Sequence, residues 1–174
     1  PLLFMGEEYA ETRPFLYFTN HSDKKLIQLV REGRKNEFKA FMHAEETPDP
    51  QAIETHENSK LTWEGRSRQQ EQMLGFYKEL IRLRMSVPVW KSTDRSKIST
   101  SAIEGKNALV LTRKVENELL IAIFNFETED IQVSLSEYKN TRWQLLLNSK
   151  DADWGGPGNA VSPDKSMIES PQKS

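Results

Sequence analysis

The chain has 174 residues, a formal net charge of −2 at pH 7 and no cysteine. The near-neutral charge argues against a nucleic acid or an anionic membrane surface as partner, and the lack of cysteine excludes disulfides, thiolate metal sites and a cysteine nucleophile. No apolar run approaches the ~20 residues of a membrane-spanning helix, so we expect a cytoplasmic protein without a metal site or a cofactor.

The first 42 residues combine a short apolar run with an amphipathic helix. Leu2–Met5 is continuously apolar, which is typical of a strand that is buried on both faces of a parallel sheet. Residues 6–22 predict a loop that is anchored by aromatic side chains. Asp23 is a suitable N-cap for a helix over 24–42, and Gly33 weakens the middle of that helix, where a break into two helices is an option.

The next part of the chain predicts a long loop and then a second helix. Residues 43–66 are polar, contain "PDPQ" and end with the apolar anchor "SKLTW" at 59–63. Such a polar stretch predicts an irregular surface loop. Ser67 and Gln70 form a capping-box pattern at the start of the second helix. This helix should end before Pro88, because a residue that precedes proline disfavours helical backbone.

The sequence changes in character after Pro88. Short segments rich in aliphatic residues alternate with turn residues such as "EGKN" and "ENE". This alternation predicts an antiparallel β-domain, and the length suits a small two-sheet sandwich. The predicted strands are 98–103, 108–114, 119–126, 131–135, 143–147 and 166–168.

The fold class that follows is an α/β piece over residues 1–87 and an all-β antiparallel sandwich over residues 88–174. One parallel strand cannot form a sheet, so the first piece is incomplete by itself. We therefore expect the chain to be a fragment of a longer polypeptide, whose missing N-terminal segment completes the sheet.

The candidate site residues follow the predicted strand directly. Glycosidases use two carboxylates, but Glu7 and Glu8 are neighbours in an extended chain and should point to opposite sides, so they do not flank one bond. One of them can orient a substrate hydroxyl; alternatively, one caps the loop backbone and the other is solvated. Tyr9 is the candidate for stacking on a sugar, whereas Phe15 and Phe18 are better explained as loop anchors.

Two other features have weaker functional readings. The spacing of His21, His43 and His56 matches no simple metal-ligand motif. The stretch "RWQLLLNSKDADWGGPG" at 142–158 is either a sugar-contacting loop or a tight turn whose Trp154 fills a small core. We prefer the tight turn.

Five stretches carry a resemblance to a known family. They are "PLLFMGEEYAETRPFLYFTNH", "LVREGRKNEF", "PDPQ", "SKLTW" and "LLLNSKDADWGGPG", in this order along the chain. Together they resemble the C-terminal part of trehalose-releasing hydrolases in the alpha-amylase family of glycoside hydrolases. The resemblance runs from Pro1 to about Gly158.

The resemblance implies a (β/α)8 barrel that is followed by a C-terminal β-sandwich. Leu2–Met5 would then be the eighth barrel strand, residues 67–86 the last barrel helix and 88–174 the sandwich. The implied reaction is retaining hydrolysis of the α-1,4 bond next to the terminal trehalose of malto-oligosyltrehalose, a substrate that is made from maltodextrin in the cytoplasm. The implied catalytic groups are two aspartates and a glutamate on earlier strands.

None of these catalytic carboxylates has a matching position in this chain, so the resemblance implies no catalytic residue here and an inactive fragment. Glu7, Glu8 and Tyr9 match a motif at the barrel mouth and are the candidates for substrate binding. Ala10 departs from the family pattern, in which glycine is common. Two alternatives stay open: another alpha-amylase-family enzyme, such as a branching enzyme or an amylase, or a non-catalytic carbohydrate-binding module.

Overall fold

The computed structural model describes residues 2–39, 47–135 and 143–158. The chain divides into two compact units, Pro1–Leu74 and Gly75–Ser174. The described residues contain helices and a small antiparallel sheet of three strands. Within these three ranges, no helix combines the length and the hydrophobicity that are needed to cross a bilayer.

The predicted buried strand at Leu2–Met5 is not formed. These residues have no regular secondary structure. Leu2 is 98% exposed, and the other three side chains are between 42% and 55% exposed. A strand needs a neighbour to satisfy its N–H and C=O groups, and no described residue pairs with this segment. The prediction is therefore wrong for this chain, and the segment instead presents apolar side chains to solvent.

Helix α1 (Lys24–Lys39) begins where the sequence predicts. The Asp23 carboxylate accepts hydrogen bonds from the backbone N–H groups of Lys25 at 2.7 Å and Leu26 at 3.2 Å, which is an N-cap. The helix runs through Gly33 without a break, because one glycine costs only about 1 kcal/mol in a helix. The predicted extension to residue 42 lies outside the described residues.

Helix α2 (Ile53–Asn58) lies in the stretch that the sequence predicts to be irregular. It follows the "PDPQ" turn, where the Thr55 hydroxyl donates to the Asp49 carbonyl at 2.6 Å. Six residues are too few to show a helical period in the sequence, which explains why the pattern misses this helix. In the anchor "SKLTW", Leu61 is half-buried, whereas Trp63 is 68% exposed.

Helix α3 (Arg68–Ser86) confirms the predicted capping box. The Ser67 backbone N–H donates to the Gln70 side chain at 2.9 Å, and the Gln70 N–H donates to the Ser67 hydroxyl at 3.3 Å. The helix ends at Ser86, and Val87 is extended, as a residue before proline should be. A single turn, α4 (Pro88–Lys91), follows with proline at its first position, where no N–H is required.

Three antiparallel strands form the sheet in the second unit, in the order β1–β2–β3. They are β1 (Ile98–Ala102), β2 (Ala108–Val115) and β3 (Glu118–Asn125). Leu111 of β2 lies between Thr100 and Ala122 of its two neighbours. The small core of this unit contains four buried apolar side chains: Leu83, Val89, Ala108 and Leu120.

Within the described residues, one three-stranded sheet of the predicted two-sheet sandwich is present. The first three predicted strands are confirmed within a residue or two of their bounds. The prediction of strands at 131–135 and 143–147 is wrong, since neither forms a ladder; Trp143 makes a single bridge. The predicted strand at 166–168 lies outside the described residues. Alternating sequence predicts that a segment can be a strand, but a ladder forms only where a partner lies beside it.

Candidate functional site

The predicted site residues lie on one tight turn rather than on a strand. Glu7–Tyr9 forms a single 3-10 turn between Gly6 and Ala10, which both have left-handed backbone, with φ of 79° and 52°. The turn is closed by the N–H of Glu11, which donates to the Gly6 carbonyl at 2.9 Å. Because a 3-10 turn rotates successive side chains by about 120°, the two acids do not alternate as they would in a strand.

The turn leaves the two acids accessible and buries the tyrosine. The Glu7 carboxylate accepts a hydrogen bond from the Phe4 N–H at 3.0 Å. Glu8 is half-buried and accepts no hydrogen bond from the described residues. Tyr9 is only 2% exposed, and the Arg66 guanidinium lies 5.5 Å from its ring centre. The Tyr9 ring therefore supports the turn from inside and is not presented to a ligand in this structure.

Glu11 is the residue in this turn that sequence reasoning missed. Its carboxylate accepts hydrogen bonds from the backbone N–H groups of Thr62 at 2.5 Å, Thr12 at 2.8 Å and Arg13 at 3.0 Å. It also contacts the Thr62 hydroxyl at 3.3 Å and the Tyr9 hydroxyl at 3.4 Å. Its main partner is 51 residues away in sequence, so no local pattern identifies it.

These contacts change the acidity of Glu11 and Tyr9. The hydrogen bond from the Thr62 backbone lowers the pKa of Glu11 most, and the N–H groups of Arg13 and Thr12 add to it, giving a pKa of about 2 against 4.5 normally. Burial opposes this shift. Burial raises the pKa of the Tyr9 phenol, and the nearby Glu11 charge raises it further. Glu11 is therefore ionised and Tyr9 neutral at physiological pH.

The lowered pKa of Glu11 predicts a loss of stability in acid. A carboxyl with a lowered pKa stabilises the fold fully above its ordinary value of 4.5 and loses that contribution as the pH falls towards about 2. The contribution amounts to at most about 3 kcal/mol. We expect urea denaturation, followed at the Thr62 amide resonance, to show this loss, and Glu11→Gln to flatten it. An equally steep acid loss in Glu11→Gln would assign the effect to other carboxylates, such as Asp49.

Ala10 occupies a backbone conformation that favours glycine, with φ 52° and ψ 57°. We expect Ala10→Gly to stabilise the first unit by about 1 kcal/mol, because glycine adopts left-handed backbone without a steric penalty. The thermal midpoint of the chain measures this change. Ala52→Gly is the control: Ala52 is extended, with φ −73°, so glycine there should only destabilise. A loss of stability in both variants would contradict the strain at Ala10.

A second set of contacts connects the "PDPQ" turn to the loop that follows the site. The Gln51 side chain accepts hydrogen bonds from the Thr19 hydroxyl and the His21 N–H, both at 3.2 Å, and donates to the His21 carbonyl at 2.9 Å. Asp49 forms a two-point ion pair with Arg31 of α1, at 2.8 Å and 2.6 Å. The motif therefore has a structural role, because it fixes residues 19–21 and α1.

Arg13 extends the contacts of the site turn to α2. Its guanidinium donates to the carbonyls of Glu57 at 3.2 Å and Lys60 at 3.3 Å, at and just beyond the C-terminal end of α2. A cation there satisfies free carbonyls and complements the helix dipole. Residues 11–13 thus bind both Thr62 and the end of α2, and this places the site turn against residues 57–62.

The two described histidines, His21 and His56, each have contacts of their own. Among the residues that the structure describes, no three potential ligands of the His, Asp or Glu type lie together. His21 is held through its backbone by Gln51, and His56 packs edge-on against Phe18 at 5.0 Å. His43 lies outside the described residues.

The stretch 148–158 forms a tight turn in the second unit, as we preferred from its sequence. Trp154 is half-buried and packs edge-on against Phe76 of α3, with ring centres 5.8 Å apart. The N–H of Gly156 donates to the Asp151 carbonyl, and that of Gly158 to the Lys150 carbonyl, both at 3.0 Å. The tryptophan therefore packs onto the helix, and the turn has a structural role.

A cleft of about 260 Å³ lies on one face of the sheet in the second unit. Its walls are hydroxyl, amide and aliphatic side chains, with no acid among them. Acid–base cleavage of a glycosidic bond needs carboxylates, and the described residues that line this cleft supply none. The lining residues are Ser101, Ile103, Val110, Thr112, Ile121, Gln132, Val133, Ser134 and Leu135.

The sequence has clear relatives, although no protein-family model matches it. It is 43% identical over 103 residues to malto-oligosyltrehalose trehalohydrolase from Deinococcus radiodurans. This alignment covers 58% of this chain and 17% of that protein. It is 49% identical over 84 residues to malto-oligosyltrehalose trehalohydrolase from Saccharolobus solfataricus. This alignment covers 48% of this chain and 13% of that protein. The chain thus spans about a sixth of the length of these relatives.

A solved structure supports the same relationship. The crystal structure of a protein from Salmonella typhimurium, provisionally described as an alpha amylase, matches with a TM-score of 0.62 and 33% sequence identity. The match covers 77% of this chain and 24% of that chain. The chain is therefore a partial homologue of the malto-oligosyltrehalose trehalohydrolases and is related in sequence and fold to an alpha-amylase-type protein.

Proposed function

We propose that the chain is part of a retaining glycoside hydrolase that cleaves the α-1,4 bond next to the terminal trehalose of malto-oligosyltrehalose and releases trehalose. The observation that carries this proposal is the 43% identity over 103 residues to a trehalohydrolase. The parent enzyme would act in the cytoplasm on a substrate that derives from maltodextrin.

The proposed architecture is the end of a (β/α)8 barrel over residues 1–87 and a C-terminal β-sandwich over residues 88–174. Exposed apolar side chains in two places support it: the run Leu2–Met5, and Leu26 and Leu29 of α1. Neighbouring barrel strands and helices would cover such surfaces. In this proposal, Leu2–Met5 becomes a strand only when the rest of the barrel lies beside it.

The proposed substrate-binding residues are Glu7, Glu8 and Tyr9, at the end of that strand. Active sites of these barrels lie at the carboxyl ends of the strands. The exposed Glu7 and the half-buried Glu8 would contact sugar hydroxyls, and the buried Tyr9 would hold the turn from inside. The nucleophile and the acid/base would come from outside this chain, so we expect the 174-residue chain alone to release no trehalose.

A segment exchange tests the function. The matching 103-residue segment of the Deinococcus radiodurans relative is replaced by the corresponding segment of this chain, and trehalose release from malto-oligosyltrehalose is measured. We expect the chimera to retain activity within about tenfold of the parent enzyme, a change of about 1.4 kcal/mol in transition-state stabilisation.

The control is the same exchange with the matching segment from the Saccharolobus solfataricus relative, which tests whether the junctions are tolerated. An active control beside an inactive but folded chimera would overturn the proposed function. The solved alpha-amylase-type structure, at 33% identity, keeps a second candidate open: a related enzyme that acts on plain maltodextrin. A chimera that cleaves maltodextrin and releases no trehalose would favour that candidate.

A further inference from the structure

Glu11 and Glu8 divide two tasks on the same turn. The Glu11 carboxylate is occupied by three backbone N–H groups and two hydroxyls, which leaves it no capacity to accept a ligand hydroxyl. The Glu8 carboxylate is half-buried and accepts no hydrogen bond from the described part of the chain. One acid is therefore fixed by the protein, and the other is open to a ligand.

The backbone connects the two acids over a short distance. The Glu11 N–H closes the turn on the Gly6 carbonyl at 2.9 Å, and the Ala10 N–H donates to the Glu7 carbonyl at 3.1 Å. A Cβ on Gly6 would lie 2.6 Å from the Glu11 Cβ, so the two ends of the turn are already in contact. The backbone at Glu11 is therefore connected directly to the backbone of the turn that carries Glu8.

The backbone of Thr62 holds the Glu11 carboxylate from outside the turn. Its N–H approaches the Glu11 carboxylate to 2.5 Å across 51 residues of chain. Residues 57 and 60 are in turn held by the guanidinium of Arg13. The side chains of Glu11 and Arg13 thus fix the turn relative to residues 57–62.

We propose that Glu11 is a positioning residue: it holds the 6–11 turn against Thr62 so that the Glu8 carboxylate is presented to a hydroxyl of a malto-oligosaccharide. This inference rests on the proposed contact of Glu7 and Glu8 with substrate. Glu11 itself does not touch the glycan, and its effect on binding passes through Glu8.

The test is an NMR titration of the full 174-residue chain with maltoheptaose. We expect the amide resonances of Glu7, Glu8 and Tyr9 to shift, and Glu8→Gln to weaken binding by about threefold to tenfold. Glu11→Gln should weaken binding by a similar factor, because a side-chain amide cannot accept the Thr62 N–H and the Thr12 N–H with both ends. Glu54→Gln, a change in an exposed acid of α2, is the matched control and should bind like the unmodified chain.

The double variant separates positioning from a merely structural role. If Glu11 acts through Glu8, then Glu8→Gln combined with Glu11→Gln binds no more weakly than Glu8→Gln alone. Additive losses, or an unchanged affinity in Glu11→Gln, would overturn the positioning role and leave the glycan contact of Glu8 intact. If Glu11→Gln unfolds the first unit, Glu11→Asp takes its place in the cycle. No shift at residues 7–9 on titration would overturn the glycan contact itself, whereas the proposed activity is judged separately by the segment exchange.

Discussion

Glu11→Ala is expected to destabilise the first unit by about 2–3 kcal/mol, because it removes the acceptor of three backbone N–H groups at once. Apolar burial contributes little to the first unit: among its described residues, Tyr9 is the only large apolar side chain that is buried. The Tyr9 hydroxyl also loses its partner in this variant. Urea denaturation followed at the Thr62 amide measures the change.

Two variants define what the Glu11 result means. Glu11→Gln keeps one accepting oxygen and should lose less stability than Glu11→Ala. Glu54→Ala removes an acid from the same unit that is exposed on α2 and should change stability by less than about 0.5 kcal/mol. If Glu11→Ala is no more destabilising than Glu54→Ala, the hydrogen bonds from Thr62, Thr12 and Arg13 to Glu11 do not contribute to the stability of this unit.

Gly156→Ala is expected to disrupt the turn at 148–158 in the second unit. A Cβ at this position would lie 2.1 Å from the Lys150 carbonyl oxygen and 2.3 Å from its carbon. Both atoms belong to the backbone, so no side-chain rotation relieves the overlap. We expect a loss of at least about 3 kcal/mol in the stability of the turn, visible as faster amide exchange of Trp154, Gly155 and Gly156, whose N–H groups are bonded within it.

Gly105→Ala is the control: it also replaces a glycine, here one of left-handed backbone, but the new Cβ overlaps no other atom. Gly105 has φ 71° and no atom within 4 Å of its would-be Cβ, so alanine there pays only for left-handed backbone, about 1 kcal/mol. The difference between the two variants measures the close approach of Gly156 to Lys150. If the amides of the turn exchange equally fast in both, this packing is looser than the structure indicates.

The position of the Glu11 and Gly156 effects bears on how the proposed enzyme would work. Each turn is fixed by backbone contacts that allow little adjustment: Glu11 with Thr62, and Gly156 with Lys150. Both turns carry accessible acids: Glu7 and Glu8 on the first, and Asp153 on the second. We place the substrate contact on the first turn because it follows the proposed barrel strand at Leu2–Met5, and we assign the second turn to packing of Trp154 on α3.

Local chemistry made several elements readable from the sequence alone. The Asp23 cap, the Ser67–Gln70 capping box and the end of α3 before Pro88 each depend on residues within four positions of one another. The three strands between Ile98 and Asn125 are likewise separated by short turns that local residues specify. The five family-like stretches also pointed to trehalose-releasing hydrolases, and the chain is a partial homologue of the malto-oligosyltrehalose trehalohydrolases.

The tertiary structure decided what depends on partners that are distant in the chain. Leu2–Met5 has the sequence of a buried strand, but it remains exposed because no described residue offers it a ladder. The end of helix α2 is held by Arg13, which lies 44 residues away in the chain from its partner Glu57, so no local pattern reveals this contact. Glu11 looked like one more acid in the sequence, and its role follows from Thr62, which folding brings to it from 51 residues away. Caps and turns depend on neighbouring residues, so the sequence predicts them. Long-range hydrogen bonds form only when folding brings distant segments together, at a cost in chain entropy, so a local pattern does not predict them.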